Sequence, residues 1–315
     1  MKKVFIDGEA GTTGLQIVDR LAALPGLVDV ISIDHDKRKD ASARQEMMAA
    51  ADVIILCLPD DAAREAVALA DALGDRAPKI IDASTAHRTT NGWVYGFPEL
   101  TQGHAQRIAA ADRVANVGCY ATASIALIRP MIEAGLLPPT HPFSINAVSG
   151  YTGGGKAMIA AYEAGDGPLF QLYGLELAHK HVLEIIVHTG LERRPLFVPS
   201  VGNFPQGMLV SVPVDLSAVS TRPSLDDLDT AFQKHYGGPG SAVRFRFTPD
   251  ANDIYESGRL PVDPAVNDDH MDIWLFANEA AGHALLVARL DNLGKGAAGA
   301  AIQNLKLMIG HSPDA

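Results

Sequence analysis

Three glycines within the first fourteen residues constrain this chain more than any other feature. Lys3 to Ile6 reads as a short buried strand. Gly8, Gly11 and Gly14 follow, and Leu15 to Leu24 then carries apolar residues at helical intervals. Strand, glycine-rich turn and helix in this order open a dinucleotide-binding fold, because small residues let a diphosphate reach the N–H groups at the helix start. The spacing departs from G-x-G-x-x-G, but the physical requirement is the same. Gly8, Gly11, Thr12, Thr13 and Gly14 are therefore assigned to a cofactor.

The alternation continues. Val28 to Ile33 is a second strand, and Asp52 to Leu58 is a continuous apolar run of the kind found in parallel strands covered on both faces. Ala62 to Leu73 is a helix and Lys79 to Ile81 a further strand. The pattern predicts an α/β chain with a doubly wound, Rossmann-type parallel sheet. Ligands bind at the carboxyl ends of such strands, and Gly8, Pro59, Ser84 and Cys119 all fall at predicted strand ends. Pro59 and Ser84 join the cofactor set on that ground. Asp34 lies 20 positions after Gly14 (34 − 14), where an acid takes the ribose hydroxyls of NAD. Lys37, Arg38 and Lys39 beside it offer positive charge to a 2′-phosphate, so the residues leave NAD and NADP both open.

The apolar run Val114 to Val117 ends at Gly118, Cys119 follows, and Ala121 to Met131 reads as a helix. Cys119 is thus placed at or just before a helix N-terminus. Unpaired N–H groups and the positive end of the dipole there favour the thiolate, which is the nucleophilic form. Gly118 leaves room for a substrate to approach. The competing reading is a buried cysteine packed as a small hydrophobe. Cys57, inside the third strand, reads as a core residue.

Arg88 follows His87 in a polar loop, and its planar fork suits a phosphate or carboxylate. Beyond Pro138 and Pro139, Phe143 to Val148 is a strand. Ser149 to Lys156 is a second glycine-rich loop before a helix from Ala157 to Ala164, and predicts an anion or oxyanion site. Ser149 and Gly150 are assigned to substrate and Gly153 to cofactor. It is not a P-loop, since Ala157 stands where the hydroxyl residue belongs. Tyr173 to Val187 reads as a helix, with Leu175, Ala178, Val182 and Ile186 on one face and His179, His181 and Glu184 riding on it. Either histidine is a candidate general base. No third ligand lies at a convincing spacing, so no metal is predicted.

Strands at Phe197–Val201, Met208–Val214, Ala242–Phe247, Met271–Phe276 and Ala284–Leu290, with a helix from Leu225 to His235, predict a mixed α+β second domain. Its open sheet is a candidate subunit interface. From Asp291 to Ala301 a loop leads into a small-residue helix that runs to Met308 and returns to the first domain. Two cysteines exclude a disulfide framework, so a cytoplasmic location is the default. No apolar run reaches about 18 residues, and the start lacks the apolar core of a signal peptide. A formal net charge of −11 argues against a nucleic-acid partner, but not against an anionic small molecule.

Asn116 to Thr122 resembles the catalytic-cysteine motif of the N-acetyl-gamma-glutamyl-phosphate reductases, arginine-biosynthesis enzymes related to the aspartate-semialdehyde dehydrogenases. Gly8–Gly14, Asp82–Arg88, Tyr95–Leu100, Ser149–Lys156, His179–Glu184 and Asn292–Asn304 fall in the order such an enzyme requires, so the resemblance covers nearly the whole chain. The length resembles the shorter of the family's two forms. Val117 stands where the motif usually has Pro, and His179 to Glu184 differs from the more common His-Arg-His-x-Pro-Glu. Neither departure removes a reacting group.

The resemblance implies an NADPH-dependent reduction of an acyl phosphate through a thioester on Cys119, with release of inorganic phosphate. It implies His179 as the base and Tyr173, His181 and Glu184 as substrate or orienting groups. Ser84 and Arg88 would bind the phosphate region, and Asn292 would contact the nicotinamide end. It further implies NADP(H) as cofactor and a homodimer or homotetramer. The expected division is a dinucleotide domain of residues 1–118 with 292–315, and a catalytic and oligomerisation domain of residues 119–291. The alternatives are a related acyl-phosphate reductase, such as an aspartate-semialdehyde dehydrogenase, and a non-catalytic NADP-binding regulator.

Overall fold

The computed structural model describes residues 1–34, 36–247 and 258–312. The chain divides into two compact units, one of Met1–Pro98, Gly103–Val117 and Ala297–Ala315, the other of Glu99–Gln102 and Gly118–Gly296.

The first unit opens with β1 (Lys2–Asp7), α1 (Thr12–Ala22), β2 (Val28–Ile31), α2 (Ala41–Ala50), β3 (Val53–Leu56) and α3 (Asp60–Asp71). It continues with β4 (Lys79–Asp82), β5 (Val94–Gly96), α4 (His104–Ala110) and β6 (Arg113–Asn116). The six strands pair in parallel in the order β2-β1-β3-β4-β6-β5. Parallel neighbours need crossover connections, and these put helices on both faces. Side chains alternate accordingly. Val4, Ile6, Val53, Ile55 and Ile81 bury one face with Ile17 and Leu21 of α1, while Phe5, Ile54, Leu56 and Ile80 bury the other with Met48 of α2 and Ala63, Ala66 and Ala70 of α3. The predicted doubly wound sheet is present.

Sequence periodicity did not reveal α2, because Met48 is its only buried residue. Its start is set locally: the Asp40 carboxylate accepts the N–H of Ala43. The three-residue β5 is a strand only by virtue of its pairing with β6.

The second unit comprises α5 (Cys119–Glu133), β7 (Ser144–Gly150), α6 (Gly155–Glu163), β8 (Phe170–Leu172), α7 (His181–Thr189) and β9 (Leu196–Gly202). It goes on through β10 (Met208–Asp215), α8 (Leu225–Tyr236), β11 (Val243–Phe247), β12 (Met271–Asn278) and β13 (His283–Leu290). Its mixed sheet has the order β11-β12-β13-β10-β7-β9-β8. Met208, Val210, Val212 and Val214 of β10 point into the core, and Leu209, Ser211 and Pro213 point away from it. The sheet therefore has one covered and one open face, as expected. The central helix α5 packs against α7, α8, β10 and β13 and is buried around nearly its whole circumference. Pro130 inside it has no N–H, which deprives the Ala126 carbonyl of its helical donor. The Tyr236 hydroxyl of α8 donates to that carbonyl at 2.8 Å and supplies the missing bond.

The last helix, α9 (Gly299–Met308), belongs to the first unit. There Asn304 Nδ2 donates to Gly96 O and to Asn116 Oδ1, each at 3.0 Å.

One expected element is corrected. Tyr173 to Val187 is not a continuous helix; only His181 onward is helical, as α7. Gly174 and Leu177 have φ of +62° and +58°, left-handed values that a helix does not allow. Of the apolar residues that suggested a helical face, Leu175 is 71% exposed, so the spacing did not reflect burial. His179 therefore lies in the loop before the helix, and His181 is its first residue.

Candidate active site

In the first unit the glycine loop forms the tight turn that a diphosphate requires. Gly8 has φ +95°, and a Cβ there would lie 2.4 Å from the Cys57 carbonyl oxygen; a Cβ on Gly14 would lie 2.5 Å from the Gly8 oxygen. Gly11 caps α1 without a side-chain hydrogen bond, and no acidic residue stands in the first turn, where Thr12, Thr13 and Gly14 lie. A helix start with neither a capping side chain nor a carboxylate suits an anionic ligand, so these residues fit a dinucleotide phosphate. Behind the loop Asp7 ends β1 and accepts from Arg44 Nη2 at 2.6 Å. Burial raises the pKa of this carboxyl and Arg44 opposes the rise.

Beyond β2, Asp34, Lys37 and Arg38 are exposed, and Lys37 Nζ lies 3.5 Å from an Asp34 oxygen. Pro59 is the exposed N-cap of α3. A Gly8→Ala substitution forces a left-handed backbone on alanine and a clash with main chain. The free loop relaxes away from the strained turn, at about 1–3 kcal/mol, and cofactor binding must restore it. NADP is expected to bind roughly 10- to 100-fold more weakly in a fluorescence titration, with Cys119 alkylated at the wild-type rate. Unchanged affinity would remove the loop from the cofactor site.

Past β4, Asp82 accepts the Ser84 N–H at 2.9 Å, the Ser84 hydroxyl at 2.8 Å and His87 Nδ1 at 2.6 Å. His87 stacks on Trp93 with ring centroids 4.2 Å apart. Arg88, expected at a phosphate, also holds main chain: Nε donates to Asn116 O at 2.9 Å and Nη2 to Val117 O at 3.1 Å. It braces the end of β6, the segment that delivers the cysteine.

In the second unit, Cys119 is the first residue of α5 and Gly118 its N-cap. The Gly118 N–H donates to Glu184 Oε1 at 2.9 Å. Glu184 is buried in the first turn of α7, so a charge-assisted bond ties the cysteine turn to a second helix. Around it stands a ring cluster. His179 lies 4.8 Å from His181, 5.2 Å from Phe197, 5.7 Å from Tyr173 and 6.2 Å from Tyr120, centroid to centroid. The His181 N–H donates to His179 Nδ1 at 3.2 Å, so hydrogen bonding assigns the proton of the neutral ring to Nε2. Burial, assisted by Lys180 and opposed by Glu176 and Glu184, holds His179 below the ordinary histidine pKa. Burial, with the neighbouring Cys119 charge adding and a Tyr120 hydrogen bond opposing, pushes the Tyr173 phenol up to about 12. It therefore remains a donor at neutral pH.

The second glycine loop packs against the turn at residues 203–207. Gly150 N–H donates to Gly207 O at 2.9 Å, and a Cβ on Gly150 would lie 2.4 Å from the Pro205 oxygen. Ser149 is buried, with its hydroxyl 3.1 Å from Gly150 O, and Gly153 is exposed. Asn292 accepts the Gly207 N–H at 2.9 Å and donates to Thr152 Oγ1 at 3.0 Å, so it ties this loop down from within the second unit.

Sequence reasoning assigned no role to Tyr120, Glu99, Lys295 or Gly296. Tyr120 joins the ring cluster, and its hydroxyl donates to Ser200 O at 2.8 Å. A signal for Lys295 was available: a lone cation inside a glycine- and alanine-rich run is a candidate buried pair. Among the described residues no cluster of three or more His, Cys, Asp or Glu is placed to hold a metal.

A parallel dinucleotide-type sheet in one unit and a cysteine heading a buried helix in the other define the semialdehyde dehydrogenase class. Two family models of that class match, described as the semialdehyde dehydrogenase NAD binding domain over residues 28–108 and the dimerisation domain over residues 119–292. The aspartate semialdehyde dehydrogenase II of Vibrio cholerae, solved in complex with ASA, shares the fold with a TM-score of 0.70 at 14% identity, covering 98% of both chains. The Candida albicans aspartate semialdehyde dehydrogenase with NADP gives 0.66 at 11% identity, covering 100% of this chain and 99% of that one. An N-acetyl-gamma-glutamyl-phosphate reductase of Brucella suis is 50% identical, over 98% of this chain and 99% of its own. That of Brucella ovis is 49% identical over the same shares. The chain belongs to the N-acetyl-gamma-glutamyl-phosphate reductase family.

Proposed function

We propose that this protein reduces N-acetyl-gamma-glutamyl phosphate to N-acetylglutamate 5-semialdehyde and inorganic phosphate, a step of arginine biosynthesis. The observation that carries the reading is Cys119 at the first position of α5, its preceding N–H held by buried Glu184. A thiolate at a helix N-terminus attacks the acyl carbon, the carbon–oxygen bond to phosphate breaks, and a thioester remains. NADPH, when bound at the glycine loop, would supply the hydride and His179 the proton that turn this thioester into a thiohemiacetal, the proton returning to His179 as the aldehyde forms. Breaking the carbon–sulfur bond then releases the aldehyde and returns the thiolate.

His179 offers Nε2–H to the acyl oxygen, where negative charge develops, and its neutral state is favoured by its burial. Tyr173 is a second donor, protonated throughout the neutral range. Glu184 orients the cysteine turn, and His181 heads α7 beside the cluster. Ser149 and Gly150 line the substrate side and Gly153 the cofactor side. Lys37 and Arg38 are the candidate partners of the 2′-phosphate, with Asp34 nearer the ribose. Ser84 and Arg88 bind the phosphate region of the substrate, Pro59 and Ser84 line the cofactor, and Asn292 contacts the nicotinamide end. Residues 1–118 with 292–315 form the cofactor domain, and residues 119–291 the catalytic and oligomerisation domain.

The chain works as a homo-oligomer, a dimer or a tetramer. The open face of the second sheet carries a groove of about 590 Å³ lined by Phe170, Leu172, Val198, Leu209, Phe276 and Leu285. Phe170 is 57% and Leu172 50% exposed, an apolar surface suited to a second copy. Sedimentation at the mass of one chain would overturn this. No helix among the described residues is long and apolar enough to cross a membrane. Two free cysteines accord with a cytoplasmic location.

The test is phosphate-dependent reduction of NADP by the purified protein with N-acetylglutamate semialdehyde, the reaction run in reverse. Faster turnover with aspartate semialdehyde would transfer the assignment to that substrate. NADP binding with no turnover on either aldehyde would favour a regulator.

A further inference from the structure

Among the buried ion pairs that the mechanism leaves unused, one stands close to the cysteine turn. Lys295 Nζ lies 2.9 Å and 2.8 Å from the two carboxylate oxygens of Glu99, and the side chains are only 1% and 7% exposed. Lys295 is among the largest fully buried side chains of the chain. Such a pair seldom adds stability over an apolar replacement of the same volume, so its presence here points to a demand for geometry.

Both ends of the pair are anchored. Glu99 also accepts the Ala242 N–H at 3.0 Å, and its carbonyl faces His235 Nε2 of α8 at 3.1 Å. Lys295 sits in a single wide turn, the π-helix Gly294–Ala298. Turns of this kind are rare and recur at functional sites. The next residue, Gly296, touches the nucleophile's turn: a Cβ there would lie 2.7 Å from Cys119 Cβ and 3.1 Å from Cys119 Cα. Only a glycine fits against the cysteine at this distance. The Gly296 N–H donates to Asp291 O at 3.1 Å, which sets the inner side of the turn.

We propose that the Glu99–Lys295 pair is a positioning device for Cys119: it holds the wide turn in place, and Gly296 on that turn fixes the cysteine side chain at the helix start. The proposal rests on Cys119 being the nucleophile. Its loss displaces the sulfur without touching substrate or cofactor groups. Lys295 and Glu99 are positioning residues.

The experiment compares Lys295→Met, the double variant Glu99→Met/Lys295→Met, and Gly296→Ala with the full-length wild type. The double variant guards against misfolding, since it leaves no buried charge uncompensated. Each is assayed for turnover in the reverse reaction and for iodoacetamide alkylation of Cys119 across about pH 6 to 9. Cys57 does not interfere, because burial, with Asp82 and Asp7 adding, pushes its thiol up to about 12.

The expected result is a loss of kcat of about 10- to 100-fold in the double variant and in Gly296→Ala, with KM for the aldehyde within about threefold of wild type. The midpoint of the alkylation profile should rise by about one pH unit as the thiol leaves the helix start. A double variant that keeps both kcat and the wild-type midpoint overturns the proposal. So does a lowered melting temperature in variants whose alkylation profile and kcat are unmoved, which marks the pair as structural only. Alkylation needs no substrate, so failure of the substrate assignment leaves this readout intact.

Discussion

Cys119→Ser is expected to lower turnover in the phosphate-dependent reduction of NADP by about 10,000-fold or more. A serine hydroxyl stays protonated under conditions in which a helix-terminal thiol ionises, so the variant lacks the nucleophilic anion. The fold should be unaffected, because Ser is nearly isosteric and is well tolerated in the first turn of a helix. NADP affinity should also hold, since the glycine loop assigned to its phosphates is unchanged. Cys57 cannot replace the lost thiolate, its thiol being pushed up to about 12 by burial. Turnover within about tenfold of wild type, in a protein that melts normally, would end the nucleophile assignment.

His179→Ala is expected to cost about 100- to 1,000-fold in kcat, and His181→Ala about tenfold or less. Both rings belong to one cluster, but they stand differently. His179 lies in a loop, with Nδ1 taken by the His181 N–H, which leaves Nε2–H as its donor. His181 is buried as the first residue of α7. The pH profile separates them further. Burial, with Lys180 adding, lowers the His179 pKa below 6.5. The active neutral ring therefore prevails above that lowered value, and kcat/KM should fall only as the pH drops through a midpoint below 6.5. His179→Ala should abolish this acidic limb. A limb that survives in His179→Ala and vanishes in His181→Ala would move the role two residues along the chain.

The parts of this protein legible from its residues are those that local spacing controls. Lys3 to Ile6 and Asp52 to Leu58 announce strands because a doubly covered parallel strand has no polar side. Gly8 to Gly14 announces a tight turn because no other residue fits against Cys57 and Gly8 main chain. Cys119 was placed at a helix start by the glycine before it and the apolar run after it. Where spacing and burial part company, the reading fails. Leu175 and Ala178 sit at helical intervals from Val182, but they lie exposed in a loop that Gly174 and Leu177 bend out of any helix.

Polar residues were legible as types and not as partners. Arg88 carries the fork of an anion binder; that it also donates to the carbonyls of Asn116 and Val117 follows only from the fold. Asn292 has the amide of a cofactor ligand, and it ties Gly207 to Thr152. Glu184 reads as a carboxylate on a helix; that it holds the N–H before Cys119, 66 positions away, follows only from the packing of α7 on α5. The joining of Glu99 to Lys295 spans 196 positions.

The sequence by itself determined the dinucleotide-type sheet, the helix that begins at the cysteine and the family to which the chain belongs, because periodicity, glycine placement and motif order are properties of neighbouring residues. Tertiary structure alone decided which buried charges pair, which histidine ring has its Nδ1 taken by main chain and what presses against the nucleophile. Those outcomes depend on desolvation and on distances between segments far apart in the chain, and no local pattern encodes either.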